Sequence, residues 1–316
     1  MTNKTYFAFA RHALVAGLRH ISIQPGDEIA VPELICRDIL SSLAAVGAIA
    51  RFYPVDRELK PLSHGEADSV QAVLMVNYFG FPQEISNFTR LWPEAILIED
   101  NAHGFLSRDA YGSLLGARTD IGITSIRKTI RLPEGAYLST TMPVDPLLKA
   151  AIDERPPSLS YQCRALVATI EKRTHLPIHG LMRTAIREVR RITTGSALPI
   201  SNSISEFELP EPRSISRHSL QLIEKVSEEN EVSRRRMLFA EFAKCARSSN
   251  MEVVFPLLPE GCAPYGFPFY STKLSREFVR LTRHHHCEAI TWPDLPGSVD
   301  VPNNHFYRQL RLVNFL

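Results

Sequence analysis

Short apolar runs alternate with helical patterns between residues 10 and 140, and this order constrains the fold more than any other feature of the chain. The runs are apolar throughout, as expected for strands of a parallel sheet that is covered on both faces. The predicted strands are Glu28–Val31, Ile49–Tyr53, Ala72–Tyr78, Ala95–Asp100, Asp120–Ile126 and Ala136–Thr140. The predicted helices are Ala13–Ile21, Leu34–Val46 and Ile85–Leu91. This pattern predicts a doubly wound α/β domain.

After Met142 the pattern changes to longer helices. Helical patterns cover Pro143–Ile192 and Ser214–Ala246, and a polar, proline-containing stretch separates them. Short strands are then predicted at Met251–Phe255, Gly266–Ser271 and Glu288–Trp292, with a helix at Ser275–His284. We therefore expect three segments: residues 1–142 form the first part of a large α/β domain, residues 143–246 complete and link it, and residues 247–316 form a small α+β domain.

Charge and cysteine content exclude several classes of protein. A formal net charge of +2 over 316 residues gives no field that favours nucleic acid or an anionic membrane. No apolar run approaches the roughly 18 residues of a membrane helix, and Met1–His20 lacks the apolar core of a secretory signal. The five cysteines are scattered and include no Cys-x-x-Cys pair, which argues against a disulfide framework. We expect a cytoplasmic protein.

The sequence His284-His285-His286-Cys287 contains four potential zinc ligands. Adjacent residues of a helix point in different directions, and no second ligand cluster lies nearby in the sequence. We therefore predict a partly exposed helix end at this position and no metal site.

Chemically useful side chains follow two of the predicted strands. Asp100 ends one strand, with His103 three residues further on, and Lys128 follows the next strand. Ligands of an open parallel sheet bind at the carboxyl ends of its strands. A lysine desolvated there loses its proton more readily and can form an imine with an aldehyde, while a carboxylate can keep a pyridine nitrogen protonated. The two groups fit pyridoxal phosphate (PLP); a structural ion pair is the alternative.

Four segments resemble the DegT/DnrJ/EryC1/StrS family of PLP-dependent sugar aminotransferases. In chain order they are PGDEIAVPELICRDILSSLAAVGAIARFYPVD, VNYFGFP, LIEDNAHGF and SIRKTIRLPEGAYLST. The resemblance covers residues 11–140 well and the remainder loosely. It implies the aspartate-aminotransferase fold (fold type I), with a mostly parallel sheet in a large domain, a smaller C-terminal α+β domain, and assembly as a homodimer.

The resemblance implies a role for each matching residue of the ring site. Lys128 corresponds to the Schiff-base lysine, Asp100 to the partner of the pyridine nitrogen, and His103 to the residue that packs near the ring and its phenolic oxygen. Cys36 falls where many members place an aromatic residue over the ring. A small buried hydrophobic residue is the alternative interpretation of Cys36.

The same resemblance implies a phosphate site. Ser125 matches a serine that binds the cofactor phosphate, although it lies closer to the lysine than in the best-known members. Ala10 and Arg11 take the place of a Gly-Thr or Gly-Arg pair at the start of the first helix, where backbone N–H groups favour an anion. The Glu134-Gly135-Ala136 turn matches Glu-Gly-Gly, and the Asn-Tyr-Arg motif that a neighbouring subunit contributes is not evident.

The implied function is transfer of an amino group from glutamate to a keto-sugar, linked to a nucleotide, in the synthesis of polysaccharide or secondary-metabolite sugars. Related enzymes that dehydrate a sugar carbon replace the lysine with histidine, so Lys128 argues against dehydration. The alternative, motivated by the missing glycine and motif, is a catalytically degenerate homologue that acts as a structural or regulatory partner.

Overall fold

Seven strands form one mixed sheet in the protein, whose computed structural model describes residues 2–62, 69–159, 161–163, 166, 167, 170, 204–211, 214–271 and 273–316. The strands are β1 Asn3–Phe7, β2 Glu28–Pro32, β3 Ile49–Tyr53, β4 Ala72–Val76, β5 Ile96–Asn101, β6 Ile121–Ser125 and β7 Ala136–Thr140. Their spatial order is β1-β7-β6-β5-β4-β2-β3. Neighbours from β6 to β3 are parallel, and β7 runs antiparallel to both β6 and β1. The predicted, mostly parallel sheet is confirmed.

Helices cover the sheet and connect it to the C-terminal part. Those of the described residues are α1 Ala10–His20, α2 Leu40–Ala44, α3 Ile85–Leu91, α4 Arg217–Glu224, α5 Glu228–Ser248, α6 Arg276–His284 and α7 Phe306–Gln309. The first helix lies close against β6 and β7, because a Cβ added at Gly17 would meet the side chains of Ile121 and Leu138 at 3.1 Å. This close approach brings the start of α1 to the edge of the sheet where Lys128 lies.

A second, antiparallel sheet lies in the C-terminal part. Its strands are β8 Gly266–Phe269, β9 Glu288–Thr291 and β10 Arg311–Asn314, in the order β8-β10-β9. The 21-residue helix α5 packs on it through Phe242, whose ring lies 6.0 Å from that of Phe267 in β8 and 5.3 Å from that of Phe278 in α6. The small α+β unit is thus present, and the division at residues 142 and 246 stays a prediction.

Three predicted elements differ from the structure. Residues Leu34–Cys36 are not helical: the 3₁₀ turn Arg37–Ile39 precedes α2, because the Arg37 N–H bonds to the carbonyl of Asp294 at 3.0 Å. Residues 143–158 contain only the 3₁₀ turn Pro146–Leu148, since four prolines interrupt a helix there; most of 159–192 lies outside the described residues.

The strand predicted at Met251–Phe255 is also wrong. Only an isolated bridge joins Val253 to Phe269. Its partner β8 contains Pro268, which has no N–H to donate to a longer ladder. Among the described residues, no helix is long and apolar enough to cross a membrane, and no group of three or more potential metal ligands is found.

Candidate active site

Lys128 and His103 are in contact at one edge of the large sheet, with 3.3 Å between Lys128 Nζ and His103 Nε2. Lys128 ends the 3₁₀ turn Ile126–Lys128 that follows β6, and His103 lies just beyond β5. The two strands are parallel neighbours, with Asp100 paired to Ile123. Their carboxyl ends therefore meet, and the structure brings together Lys128, Asp100 and His103.

Asp100 is buried, and among the described residues it forms no ion pair. One of its oxygens, Oδ1, accepts a hydrogen bond of 2.8 Å from the N–H of Ala102, and the described residues offer Oδ2 no donor. Burial raises the pKa of Asp100, while the Ala102 N–H and the charge of Lys128 act in the opposite direction. A buried carboxylate without a cation is stabilised by a protonated ligand nitrogen.

Two aromatic rings lie nearly parallel to the imidazole of His103. Tyr265 is stacked on it at 4.6 Å with an interplanar angle of 7°, and Phe79 lies nearly parallel at 5.7 Å. Trp292 meets it edge-on at 5.3 Å. Burial and the charge of Lys128 lower the pKa of His103 well below its ordinary value. The ring is therefore neutral near pH 7, and one of its nitrogens can accept a hydrogen bond from the lysine.

The Glu134-Gly135-Ala136 turn holds the lysine turn in place. The Gly135 carbonyl accepts from the N–H groups of Ile126, at 2.9 Å, and Arg127, at 3.1 Å, and the Gly135 N–H donates to Ala8 at 2.7 Å. Gly135 has a φ of +149°, where a side chain is strained. One glycine therefore links the Lys128 turn to the residues that precede α1.

The start of α1 is positively charged and lacks a side-chain cap. The N-cap residue is Phe9, so Ala10 and Arg11 begin the helix, as expected for an anion site. Arg127 lies over the Phe9 ring at 4.9 Å, and its buried Nε has no hydrogen-bond partner among the described residues. Burial and the charge of Arg11 lower the pKa of Arg127. The carboxylate of Asp38 lies 3.5 Å from Arg11 and is largely exposed.

Arg127 is a candidate phosphate ligand that the sequence motifs did not identify. The signal available was its place between Ser125, which ends β6, and Lys128. Ser125 itself is buried where the lysine turn begins. Cys36 is partly buried in the extended stretch before α2, and burial raises the pKa of its thiol, with Lys128 acting in the opposite direction. Cys36, the residue predicted to lie over the cofactor ring, is thus near Lys128, but its side chain is small.

PLP fits this set of residues on three observations. The Asp100 carboxylate is buried and forms no ion pair in the described part of the chain, the amine of Lys128 touches a neutral imidazole, and two arginines lie beside an uncapped helix N-terminus. These groups match a pyridine nitrogen, an aldehyde next to a phenolic oxygen, and a phosphate. The aromatic side chains of Tyr265 and Trp292 are buried and contact His103.

No protein-family model matches the chain, and no curated protein matches it. Solved structures do match the chain. A DegT DnrJ EryC1 StrS aminotransferase from Brucella abortus is 16% identical with a TM-score of 0.58, over 99% of this chain and 80% of that chain. A sugar aminotransferase from Streptococcus pneumoniae, Spr1654 in its PMP form, is 13% identical with a TM-score of 0.63, over 99% and 81%.

A third matching structure is that of an enzyme named for a different reaction. The GDP-4-keto-6-deoxy-D-mannose-3-dehydratase of E. coli, with bound hydrated PLP, is 16% identical with a TM-score of 0.59, over 98% of this chain and 83% of that chain. At these identities the similarity establishes the fold. The chain has the fold of the PLP-dependent sugar aminotransferases and related PLP enzymes, as its sequence predicted.

Proposed function

We propose that the chain is a PLP-dependent aminotransferase that transfers an amino group from glutamate to a keto-sugar linked to a nucleotide. The observation that carries this proposal is the 3.3 Å contact between Lys128 Nζ and His103 Nε2, next to a buried Asp100 that forms no ion pair among the described residues. Groups buried in this way are costly for stability alone and are typical of functional sites. Synthesis of polysaccharide or secondary-metabolite sugars is the setting we propose.

Each residue of the site has a role in this proposal. Lys128 holds the cofactor through its amine, Asp100 keeps the pyridine nitrogen protonated, and His103 lies beside the phenolic oxygen. PLP, when bound, supplies an electron sink for the carbon that bears the amino group. The phosphate is held by the N–H groups at the start of α1, at Ala10 and Arg11.

Lys128 also moves a proton. Its free amine would accept the proton from the substrate carbon that bears the amino group and donate it to the carbon of the cofactor, which is general acid–base catalysis by one side chain. His103 supports this role because a neutral imidazole accepts a hydrogen bond from the amine and does not repel its charge. The aromatic rings around His103 keep water from the imidazole, and this strengthens the electrostatic interactions at the site.

We further propose that Ser125 and Arg127 complete the phosphate site. An arginine that is half-buried without a carboxylate gains a counter-charge when a phosphate binds. In this proposal Arg127 supplies within one chain the positive charge that the Asn-Tyr-Arg motif supplies in the family. We also propose a homodimer in the cytoplasm, in which Cys36 lies over the cofactor ring.

The test is spectroscopic. Purified protein mixed with PLP is expected to develop the absorption band of a lysine-bound cofactor, and borohydride is expected to fix the cofactor on Lys128. Lys128→Ala loses the band, whereas Lys244→Ala, on the exposed face of α5, retains it. An unchanged spectrum in Lys128→Ala contradicts the proposal.

An assay of amino-group transfer from glutamate to a keto-sugar nucleotide distinguishes the proposed aminotransferase from a catalytically degenerate homologue. A catalytically degenerate homologue binds the cofactor or its partner protein without turnover, whereas the proposed enzyme converts glutamate to its keto acid in equal amount with the aminated sugar. Absence of transfer with a full panel of keto-sugar nucleotides favours the degenerate homologue.

A further inference from the structure

Arg235 in α5 is the largest fully buried side chain among the described residues. Its Nε donates to the Glu231 carboxylate at 2.7 Å, one turn earlier in the same helix. Burial lowers the pKa of Arg235 to about 10, with Glu231 acting in the opposite direction. The guanidinium is therefore charged at neutral pH although it is fully buried.

The remaining hydrogen bonds of Arg235 join two separate parts of the chain. Nη2 donates to the carbonyl of Thr129 at 2.5 Å, and Nη1 donates to the carbonyls of Pro264 and Tyr265, both at 3.1 Å. Thr129 directly follows Lys128. The planar guanidinium thus fixes the lysine turn relative to the loop that precedes β8.

Both connected parts lead to the contact between Lys128 and His103. The Tyr265 ring is stacked on His103, and the Tyr265 N–H donates to the carbonyl of Phe79 at 2.8 Å. The Phe79 ring also lies nearly parallel to the imidazole of His103. The backbone of Tyr265 is therefore bonded to Phe79 through its N–H and to Arg235 through its carbonyl. Arg235 thus bonds both to the turn that carries Lys128 and to the residue whose ring packs on His103.

We propose that Arg235 is a positioning residue that sets the distance between Lys128 and His103, an inference that rests on the proposed function of these two residues. It does not touch the cofactor or the substrate. It fixes the backbone next to Lys128 and the ring that packs on His103. Removal of the guanidinium fork loosens both and separates the amine from the imidazole.

Two conservative variants test this role. Arg235→Lys keeps the charge, but a single ammonium cannot reach three carbonyl groups and Glu231 with the geometry of a planar fork. Arg236→Lys is the matched control, because Arg236 is the next residue of α5 and binds two other carbonyl groups of the same loop. These belong to Pro259 and Cys262, both 2.8 Å from Arg236 Nη1.

The first measurement uses the full-length protein without cofactor and follows the pKa of His103 by NMR with nitrogen-15-labelled histidine. In the wild type, burial and Lys128 hold this pKa well below its ordinary value. We expect Arg235→Lys to raise it by roughly half a unit or more, because the Tyr265 ring moves and water reaches the imidazole. Arg236→Lys leaves it at the wild-type value.

The second measurement uses the PLP-loaded protein. We expect the pH midpoint of the Lys128-bound cofactor band to shift in Arg235→Lys and not in Arg236→Lys, and kcat to fall on the order of tenfold to a hundredfold in Arg235→Lys alone. If the wild type gives no band with PLP, the proposed function fails, and the titration of His103 still decides the role of Arg235.

A folded Arg235→Lys protein with the wild-type pKa of His103 overturns the proposal, and so does an equal shift in Arg236→Lys. If Arg235→Lys does not fold, Glu231→Gln takes its place, because it removes the carboxylate that orients the guanidinium and leaves Arg235 itself intact. A smaller upward shift of the His103 pKa is then expected, and no shift overturns the proposal.

Discussion

Glu99 and Asp100 are neighbours in β5, yet of the two only Glu99 forms an ion pair within the described part of the chain: its carboxylate lies 2.7 Å from the guanidinium of Arg118, and it also accepts a hydrogen bond of 2.7 Å from Asn77. Successive residues of a strand point to opposite faces. One of the two acids is therefore part of a closed structural network, and the other is available to a ligand. Because of this difference, we expect the isosteric substitutions Asp100→Asn and Glu99→Gln to have opposite effects on stability.

Asp100→Asn is expected to stabilise the cofactor-free protein at neutral pH, because it removes a buried carboxylate that forms no ion pair with any described residue and whose desolvation outweighs the effect of the Lys128 charge. It is also expected to lower the rate of transamination about a hundredfold or more, since an amide cannot keep the pyridine nitrogen charged. Urea unfolding and the rate with glutamate measure the two effects. Loss of stability at pH 7 in the cofactor-free variant contradicts the assignment.

Glu99→Gln is expected to destabilise the protein by about 3 kcal/mol, because it removes the carboxylate that lies 2.7 Å from the buried Arg118 and leaves only the more distant Asp109, at 3.8 Å. Folded protein of this variant retains the PLP band, since the affected network lies on the other face of β5. Thermal unfolding with and without PLP provides the measurement. Equal stability of wild type and variant shows that the ion pair contributes little.

Arg127→Ala is expected to weaken binding of PLP by about 1.5–3 kcal/mol, the usual contribution of a hydrogen bond to a charged group. Binding of pyridoxal, which lacks the phosphate, is expected to stay the same. Arg131→Ala is the control, because Arg131 is exposed and its side chain, among the described residues, bonds only to the carbonyl of Leu316. A matching loss of pyridoxal affinity excludes a phosphate role for Arg127.

Gly135→Ala is expected to cost about 1–3 kcal/mol of folding free energy, because a φ of +149° is strained for alanine. It also weakens PLP binding, since the Gly135 carbonyl fixes the turn that carries Lys128. Gly112→Ala is the matched control: its φ is +80°, but an added Cβ there meets nothing within 4 Å. If both variants bind PLP equally well, the turn does not position the lysine.

The stability of the cofactor-free protein is expected to depend on His103 below neutral pH. Its pKa is lowered on folding, so the unfolded chain binds the proton first, and stability falls as the pH drops from about 6.5 towards the folded pKa. The raised pKa of Asp100 has the opposite sign: stability falls as the pH rises from the ordinary value through the folded one.

His103→Gln separates the two contributions. The difference in unfolding free energy between wild type and variant, followed by urea titration from pH 7.5 to 5, is expected to change only below about pH 6.5. A difference that is constant over this range shows that His103 does not titrate on unfolding.

Much of the fold could be predicted because several elements are sharply bounded in the sequence. The bounds of β3, α3 and β7 match the predictions residue for residue. The strands β1 and β10 were not predicted. In β1, an edge strand, only Phe7 is buried, so the segment carries little apolar signal.

The central site residues were predicted because they follow adjacent strands of a parallel sheet, whose ends must meet. Lys128, Asp100 and His103 are brought together in this way. The positions of Tyr265 and Arg235 could not be predicted, because their contacts depend on how a distant loop and a long helix pack against the sheet. No local pattern in the sequence records such packing.

The turn at Gly135 also bears on the order of folding. Gly135 and its neighbour Glu134 contact three regions that are far apart in the chain: Ala8 before α1, the turn that carries Lys128, and Ser216 at the start of α4. Contacts of such long sequence separation form late, after most of the loop-closure entropy has been lost. It follows that a nascent or partly folded chain has no ordered amine with which to capture an aldehyde, and that this reactivity appears only with the native topology.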